Sequence, residues 1–284
     1  MKRIVLSLLL SFACLGMAAQ GTIVTDSLET SLLGGVQKYN VYLPQGYNLS
    51  RQYPVLYLLH GLYGTYKDWA SVGGLQAVAD ELISSGELRP VVIIMPNAGG
   101  PDVNHYQNGY FNVEDWPYED FFFQELLPQA ESKYHCGGSK GQRAVAGLSM
   151  GGGGTLVYAQ RHPGLFSSAY AMSAWLDQRP GDLRSQGDPE DKLTRTAISV
   201  WKHSTIDFLD QADENTLSAL RTVKWFVDCG DDDFIFDLSV RFYQKMREKD
   251  IKCELRVRDG AHTWEYWHTA LRLSLPFASR NFQQ

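Results

Sequence analysis

Cysteine is scarce in this 284-residue chain, with four residues, and so is any large excess of one charge, the net being −6. Lys and Arg form no cluster, which argues against a nucleic-acid partner. No segment repeats at a period of roughly 20–50 residues, so a solenoid or propeller array is excluded. Low-complexity runs are also missing, and with them the signature of a long disordered tail. What remains, 44% hydrophobic and 20% charged residues, is the composition of one large folded domain with a full core.

The N-terminus stands apart. Lys2 and Arg3 precede the apolar run Ile4 to Leu15, and Gly16-Met-Ala-Ala-Gln20 supplies small residues. These are the three regions of a secretory signal peptide, with cleavage after Ala18 or Ala19. The run is too short for a spanning helix. A lipoprotein signal ending at Cys14 fits less well, because Ser11-Phe-Ala precedes it. The expectation is a signal over residues 1–19, a single domain over 20–284, and export to the periplasm or beyond, with no integral membrane segment once the signal is gone. Cys136, Cys229 and Cys253 are then left, an odd number. Cys229 ends one expected strand and Cys253 begins another; if these run parallel, the thiols sit at opposite ends of the sheet and no disulfide joins them.

Along the chain, strand and helix patterns alternate. Ile23 to Leu33 and Gln37 to Leu43 read as an antiparallel pair turning at Gly34-Gly35, and Tyr53 to Leu59 as a central strand too continuously apolar for an exposed face. Helix Leu75 to Ile83 and strand Val91 to Met95 follow. The segment from Gly99 to Trp116, rich in Asn, Tyr and Gly, reads as a long surface loop suited to a sugar or aryl ligand, Tyr106 among its aromatics. A helix opens at Pro117 and buries Phe121, Phe122, Leu126 and Leu127. After strand Phe166 to Met172, the polar stretch of about 175–220 reads as a small cap over the carboxyl edge of the sheet. Strand Val223 to Cys229, helix Leu238 to Glu248, strand Cys253 to Arg258 and a helix from about Tyr266 complete an α/β fold with a mostly parallel sheet and helices on both faces.

Chemistry centres on Gly147-Leu-Ser149-Met-Gly151, a G-x-S-x-G between an apolar strand and a helix. The bare pattern arises by chance in roughly one chain of this length in ten, so its partners decide the matter. A serine hydroxyl needs a base. In α/β-hydrolases the acid and then the histidine follow the serine in the chain. Gly230-Asp-Asp-Asp233 and Gly260-Ala-His262 occupy those places; Asp233 is the expected acid, with Asp232 as the alternative, and Asp228 a structural acceptor within its strand. His262 is the expected general base. His60-Gly61-Leu62 follows the central strand, so the N–H groups of Leu62 and Met150 are the expected oxyanion donors, with His60 bracing the loop. His262, Glu265 and His268 match no zinc-protease spacing, so neither a metal nor another cofactor is expected.

Tyr42-Leu-Pro44, Leu58-Leu-His-Gly61, Asp68-Trp69, Met95-Pro-Asn97, Gly147-Leu-Ser-Met-Gly-Gly152, His162-Pro-Gly-Leu-Phe166, Gly230-Asp-Asp-Asp-Phe234 and Gly260-Ala-His-Thr-Trp264 together resemble the esterase branch of the α/β-hydrolases. That branch includes feruloyl and acetylxylan esterases of carbohydrate esterase family 1, tributyrin esterases, S-formylglutathione hydrolases and mycolyltransferases. The resemblance covers the chain after the signal. It implies a serine carboxylesterase with Ser149, Asp233 and His262 as triad, acting on feruloyl or acetyl esters of plant polysaccharide. An acyltransferase onto a sugar hydroxyl, a short-chain esterase and a non-catalytic carbohydrate-binding module are the alternatives. Tyr63 stands where many relatives have Gly, and Ser173-Ala174 where Ser-Gly is common, two departures that bear on the acyl pocket. Tyr63, Trp69, Tyr106 and Trp264 are the candidates for substrate contact.

Overall fold

The computed structural model describes residues 20–100, 102, 108–177 and 191–283. The expected signal of residues 1–19, Tyr106, and residues 178–190 of the expected cap lie outside the described residues.

The chain begins with the antiparallel pair β1 (Thr22–Glu29) and β2 (Val36–Leu43). Then come β3 (Val55–Leu59), α1 (Asp68–Ser71), α2 (Leu75–Ser85) and β4 (Val92–Met95). A two-residue-per-strand hairpin, β5 (Asn112–Val113) and β6 (Trp116–Pro117), leads into α3 (Tyr118–Asp120), a π-helical stretch Phe121–Leu126 and α4 (Leu127–Lys133). The second half alternates: β7 (Arg143–Leu148), α5 (Met150–Arg161), β8 (Ser168–Met172), then α6 (Lys192–Lys202), α7 (Thr205–Gln211) and α8 (Glu214–Leu220), β9 (Lys224–Gly230), α9 (Phe236–Glu248), β10 (Cys253–Arg258) and α10 (Trp264–Asn281).

Eight strands form one sheet in the order β1-β2-β4-β3-β7-β8-β9-β10. Neighbours from β4 to β10 run parallel; β1 and β2 add an antiparallel edge. The parallel strands at the centre are buried along their whole length, which is why they read as unbroken apolar runs. Alternate side chains divide the core between two faces. Val55, Tyr57 and Leu59 join the layer that contains α4 and α5, whereas Leu56 and Leu58 meet α2 and α10. This is the arrangement that the resemblance implies.

Register settles the cysteines. Cys253 is level with Trp225 and Cys229 with Val257, so four residues, ~13 Å of strand, separate the two thiols. One expectation is corrected in part. In the loop of 99–116, the described side chains Asn108, Tyr110, Phe111 and Trp116 are buried rather than turned to a ligand, while Asn112, Glu114 and Asp115 are exposed. Tyr110 alone supports three neighbours, its hydroxyl bonding the His60 carbonyl, its own carbonyl taking the Tyr158 hydroxyl, and its ring meeting Tyr118 edge-on. In the 175–220 segment, Leu209 of α7 and Leu220 of α8 are fully buried in the main core, which anchors these helices to the body of the domain.

Candidate active site

Five strand ends, of β3, β7, β8, β9 and β10, and the loops that follow them build one cavity at the carboxyl edge of the sheet, the place where open parallel sheets leave a crevice. Ser149 leaves β7 with φ 52° and ψ −118°, an unfavourable backbone for a residue with a Cβ. Three backbone bonds hold it there: its N–H donates to Met172 O at 2.9 Å, and its carbonyl accepts from Gly153 N–H and Trp175 N–H. Gly147 and Gly151 permit the turn. A Cβ on Gly147 would lie 2.5 Å from the Gly151 carbonyl oxygen, and one on Gly151 2.5 Å from the His60 carbonyl oxygen. The start of α5 is thereby pressed against the loop after β3.

That loop is braced as expected. His60 is buried, its Nδ1 bonds the Gly61 carbonyl at 2.8 Å and its Nε2 accepts from Ala98 N–H at 2.9 Å. The pair of bonds fixes a neutral imidazole with the proton on Nδ1, and burial holds its pKa below the ordinary value. Leu62 follows beside the cavity. Met150 is the first residue of α5, so its N–H has no carbonyl within the helix to bond.

The structure brings Ser149, His262 and Asp233 together. His262 Nε2 lies 2.9 Å from Ser149 Oγ, and its Nδ1 lies 2.9 and 3.0 Å from the two Asp233 oxygens. Asp233 also accepts from Ile235 N–H at 3.0 Å. Burial pushes the Asp233 carboxyl up, but the bonds from His262 and Ile235 outweigh it and hold the pKa below the usual carboxylate value. Asp231 and Asp232 are exposed on the same turn, and Asp233 is the carboxylate of the three that bonds His262. Asp228 is fully buried and accepts from the Tyr170 and Tyr266 hydroxyls at 2.7 and 2.5 Å. His268 is half-buried and bonds the Gly73 carbonyl.

The cavity has a volume of about 540 Å³, within the usual range for small-molecule sites. Tyr63 and Trp264 line it. Trp69 does not: it is 1% exposed, gives its indole N–H to Leu59 O, and meets Trp264 edge-on, so it sets the position of Trp264 from within the core. Tyr63 carries φ 62°, the left-handed backbone that explains why glycine suits this position. Ser173, also left-handed, accepts the Trp267 indole N–H at 3.1 Å, and Ala174 packs over Gly152.

Several lining residues were not among the sequence candidates. Trp267 meets the His262 ring edge-on at 4.9 Å and Phe234 leans on it at 4.7 Å. Leu193 and Ala197 of α6, Trp175 and Ile235 complete the apolar wall. Sequence offered signals for some of these: Phe234 and Ile235 follow the acid directly, Trp267 lies one turn beyond Trp264, and Leu193 and Ala197 share one helical stripe.

Residues 30–278 match a family model described as "Putative esterase". A curated endo-1,4-beta-xylanase/feruloyl esterase of Xylanibacter ruminicola is 34% identical over 151 residues, 51% of this chain and 20% of that protein. The chain thus spans about a fifth of that relative's length. A solved ferulic acid esterase structure is 46% identical, with a TM-score of 0.89, covering 93% of this chain and 99% of that one. The S-formylglutathione hydrolase of Staphylococcus aureus shares the fold at 20% identity, with a TM-score of 0.72, over 92% of this chain and all of that one.

Proposed function

The chain belongs to the esterase family that it matches over residues 30–278, and from that premise we propose that it is a serine carboxylesterase that releases feruloyl groups from plant polysaccharide. One observation carries the reading: a continuous Ser149–His262–Asp233 hydrogen-bond chain opens into a cavity walled by aromatic and aliphatic side chains. Ser149 Oγ attacks the ester carbonyl while His262 Nε2 takes its proton. Asp233 keeps the Nδ1–H tautomer in place and stabilises the imidazolium that forms. The tetrahedral oxyanion is held by the N–H groups of Leu62 and Met150, each worth roughly 3–4 kcal/mol at the transition state. His262 then protonates the departing sugar alkoxide, and water activated by the same imidazole releases the acid.

The acyl group is assigned from the walls. An acetyl group would leave most of the 540 Å³ unfilled, whereas Trp175, Trp264 and Trp267 offer edges and faces to an aryl ring. The 46%-identical ferulic acid esterase points to the same acyl class. In this reading residues 20–284 are one catalytic domain, the 175–220 segment caps the cavity through α6, and residues 1–19 direct export to where polysaccharide is met. Among the described residues no helix is long and apolar enough to cross a membrane.

Ser149→Ala is expected to abolish hydrolysis of methyl ferulate and labelling by a fluorophosphonate probe, with the circular dichroism spectrum unchanged. Turnover within tenfold of the unsubstituted protein would overturn the assignment of the nucleophile.

A further inference from the structure

We propose that a second cavity, reached from the first along α6, is an accessory site for a neutral oligosaccharide, the sugar chain that carries the ester. The inference rests on the esterase reading above for what occupies the first cavity. It begins with exposure. Among the described residues three aromatic side chains are exposed: Tyr63, Trp201 and Phe234. Tyr63 and Phe234 edge the catalytic cavity. Trp201 is 41% exposed and lines a separate cavity of about 430 Å³.

The two cavities share walls. On α6, Leu193 and Ala197 face the first, and Trp201 faces the second. These residues are spaced i, i+4 and i+8, so they form one stripe about 12 Å long at 1.5 Å per residue. The opposite wall behaves likewise: Phe234 and Ile235 line the first cavity, and Leu238, one turn on, lines the second. α6 and the 234–238 segment therefore both run from the wall of the first cavity to the wall of the second.

The chemistry at the far end suits a sugar. An exposed indole presents a flat apolar face for the carbon–hydrogen face of a pyranose, with a polar edge at the water boundary. Around it Arg241 and Gln244, exposed one turn apart on α9, supply donors for hydroxyl groups. Of the other charges in the wall, Lys245 bonds Asp210 and Glu248, and Asp177 accepts from Ser204, Thr205 and the Ile206 N–H, which leaves the Asp207 carboxylate exposed opposite the Arg241 guanidinium in sign. A wall that carries both signs favours a neutral polyol over a charged ligand.

The test compares methyl ferulate with a feruloylated xylo-oligosaccharide in the unsubstituted protein and in Trp201→Ala. The expected result is a five- to tenfold fall in kcat/KM on the oligosaccharide ester, carried by KM, with methyl ferulate unchanged. Equal loss on both esters, or loss on neither, overturns the accessory site. A second measurement does not need turnover: calorimetric titration of Ser149→Ala with unesterified xylo-oligosaccharide should give binding that Ser149→Ala/Trp201→Ala lacks. Failure to hydrolyse either ester in the unsubstituted protein would defeat the esterase reading, while the titration would still decide the groove.

Discussion

At the scale of single residues, the site is held in backbone conformations that side chains normally avoid. Ser149, Ser173 and Tyr63 all have positive φ, and the three sit at or beside the cavity. Strain at Ser149 aims its hydroxyl at His262. The strain at Tyr63 does no such aiming, because its ring is half-exposed at the rim. Tyr63→Gly should therefore stabilise the fold by about 1 kcal/mol, since relief of a left-handed backbone exceeds the added entropy of glycine. Urea unfolding measures it; a lower midpoint would mean that the tyrosine ring contributes more than its backbone costs. Residue types were enough to single out Ser149 and His262, which the structure places 2.9 Å apart, because G-x-S-x-G and a histidine after the last strand have few other uses in that order. They carried Trp69 the wrong way. A tryptophan beside a loop looks the same in sequence whether it faces ligand or core, and only packing against Leu59 and Trp264 distinguishes the two.

Secondary-structure elements were more legible than their joins. The buried strands stood out because six parallel neighbours leave no polar face to interrupt the apolar run. The π-helical turn at Phe121–Leu126 left no such mark. Its consecutive phenylalanines both meet Tyr158, and beyond it Phe122 reaches Tyr57 while Phe123 reaches His162 and Phe166. Another join is the buried ion pair that ties α4 to the start of β7. Arg143 Nε lies 2.6 Å from Glu131 Oε1 and its terminal nitrogen 2.8 Å from Oε2; Glu131 also takes the Gly138 N–H and the Tyr57 hydroxyl. Both partners are buried, so removing one charge strands the other. Glu131→Gln is expected to cost about 3–5 kcal/mol in urea unfolding. Because Arg143 lies six residues, ~20 Å, from Ser149 along β7, kcat of the folded variant should stay within twofold. A large fall in kcat without loss of stability would contradict this separation.

For the molecule as a whole, acid is the expected threat. His60 and His203 have pKa values lowered by burial, so the unfolded chain takes protons near its ordinary value of 6.5 while the folded one does not. Stability therefore begins to fall as pH drops below about 6.5. Asp26 is bonded by Lys133, Tyr134 and Tyr39, which overcome burial and lower it to about 2; Asp233 shifts in the same direction. Their stabilisation is present above the unfolded value of 3.8 and disappears as pH falls through the depressed folded values. A Tm that is flat above pH 7, declines towards pH 5 and drops steeply below 4 is expected, and a flat profile from 7 to 5 would contradict the histidine contribution. The overall architecture was readable because strand, turn and helix alternate so regularly; the anchoring of the helices between β8 and β9 through Leu209 and Leu220 was not, because their apolar positions are few among polar residues. One geometric fact has a practical corollary. His262 is 113 positions from Ser149 and 29 from Asp233 in the chain, yet its two ring nitrogens lie within 3 Å of both. No peptide cut between them holds the complete set, so on the proposed mechanism ester cleavage is an all-or-none gauge of the native population, and regain of colour from a chromogenic ester would time refolding directly.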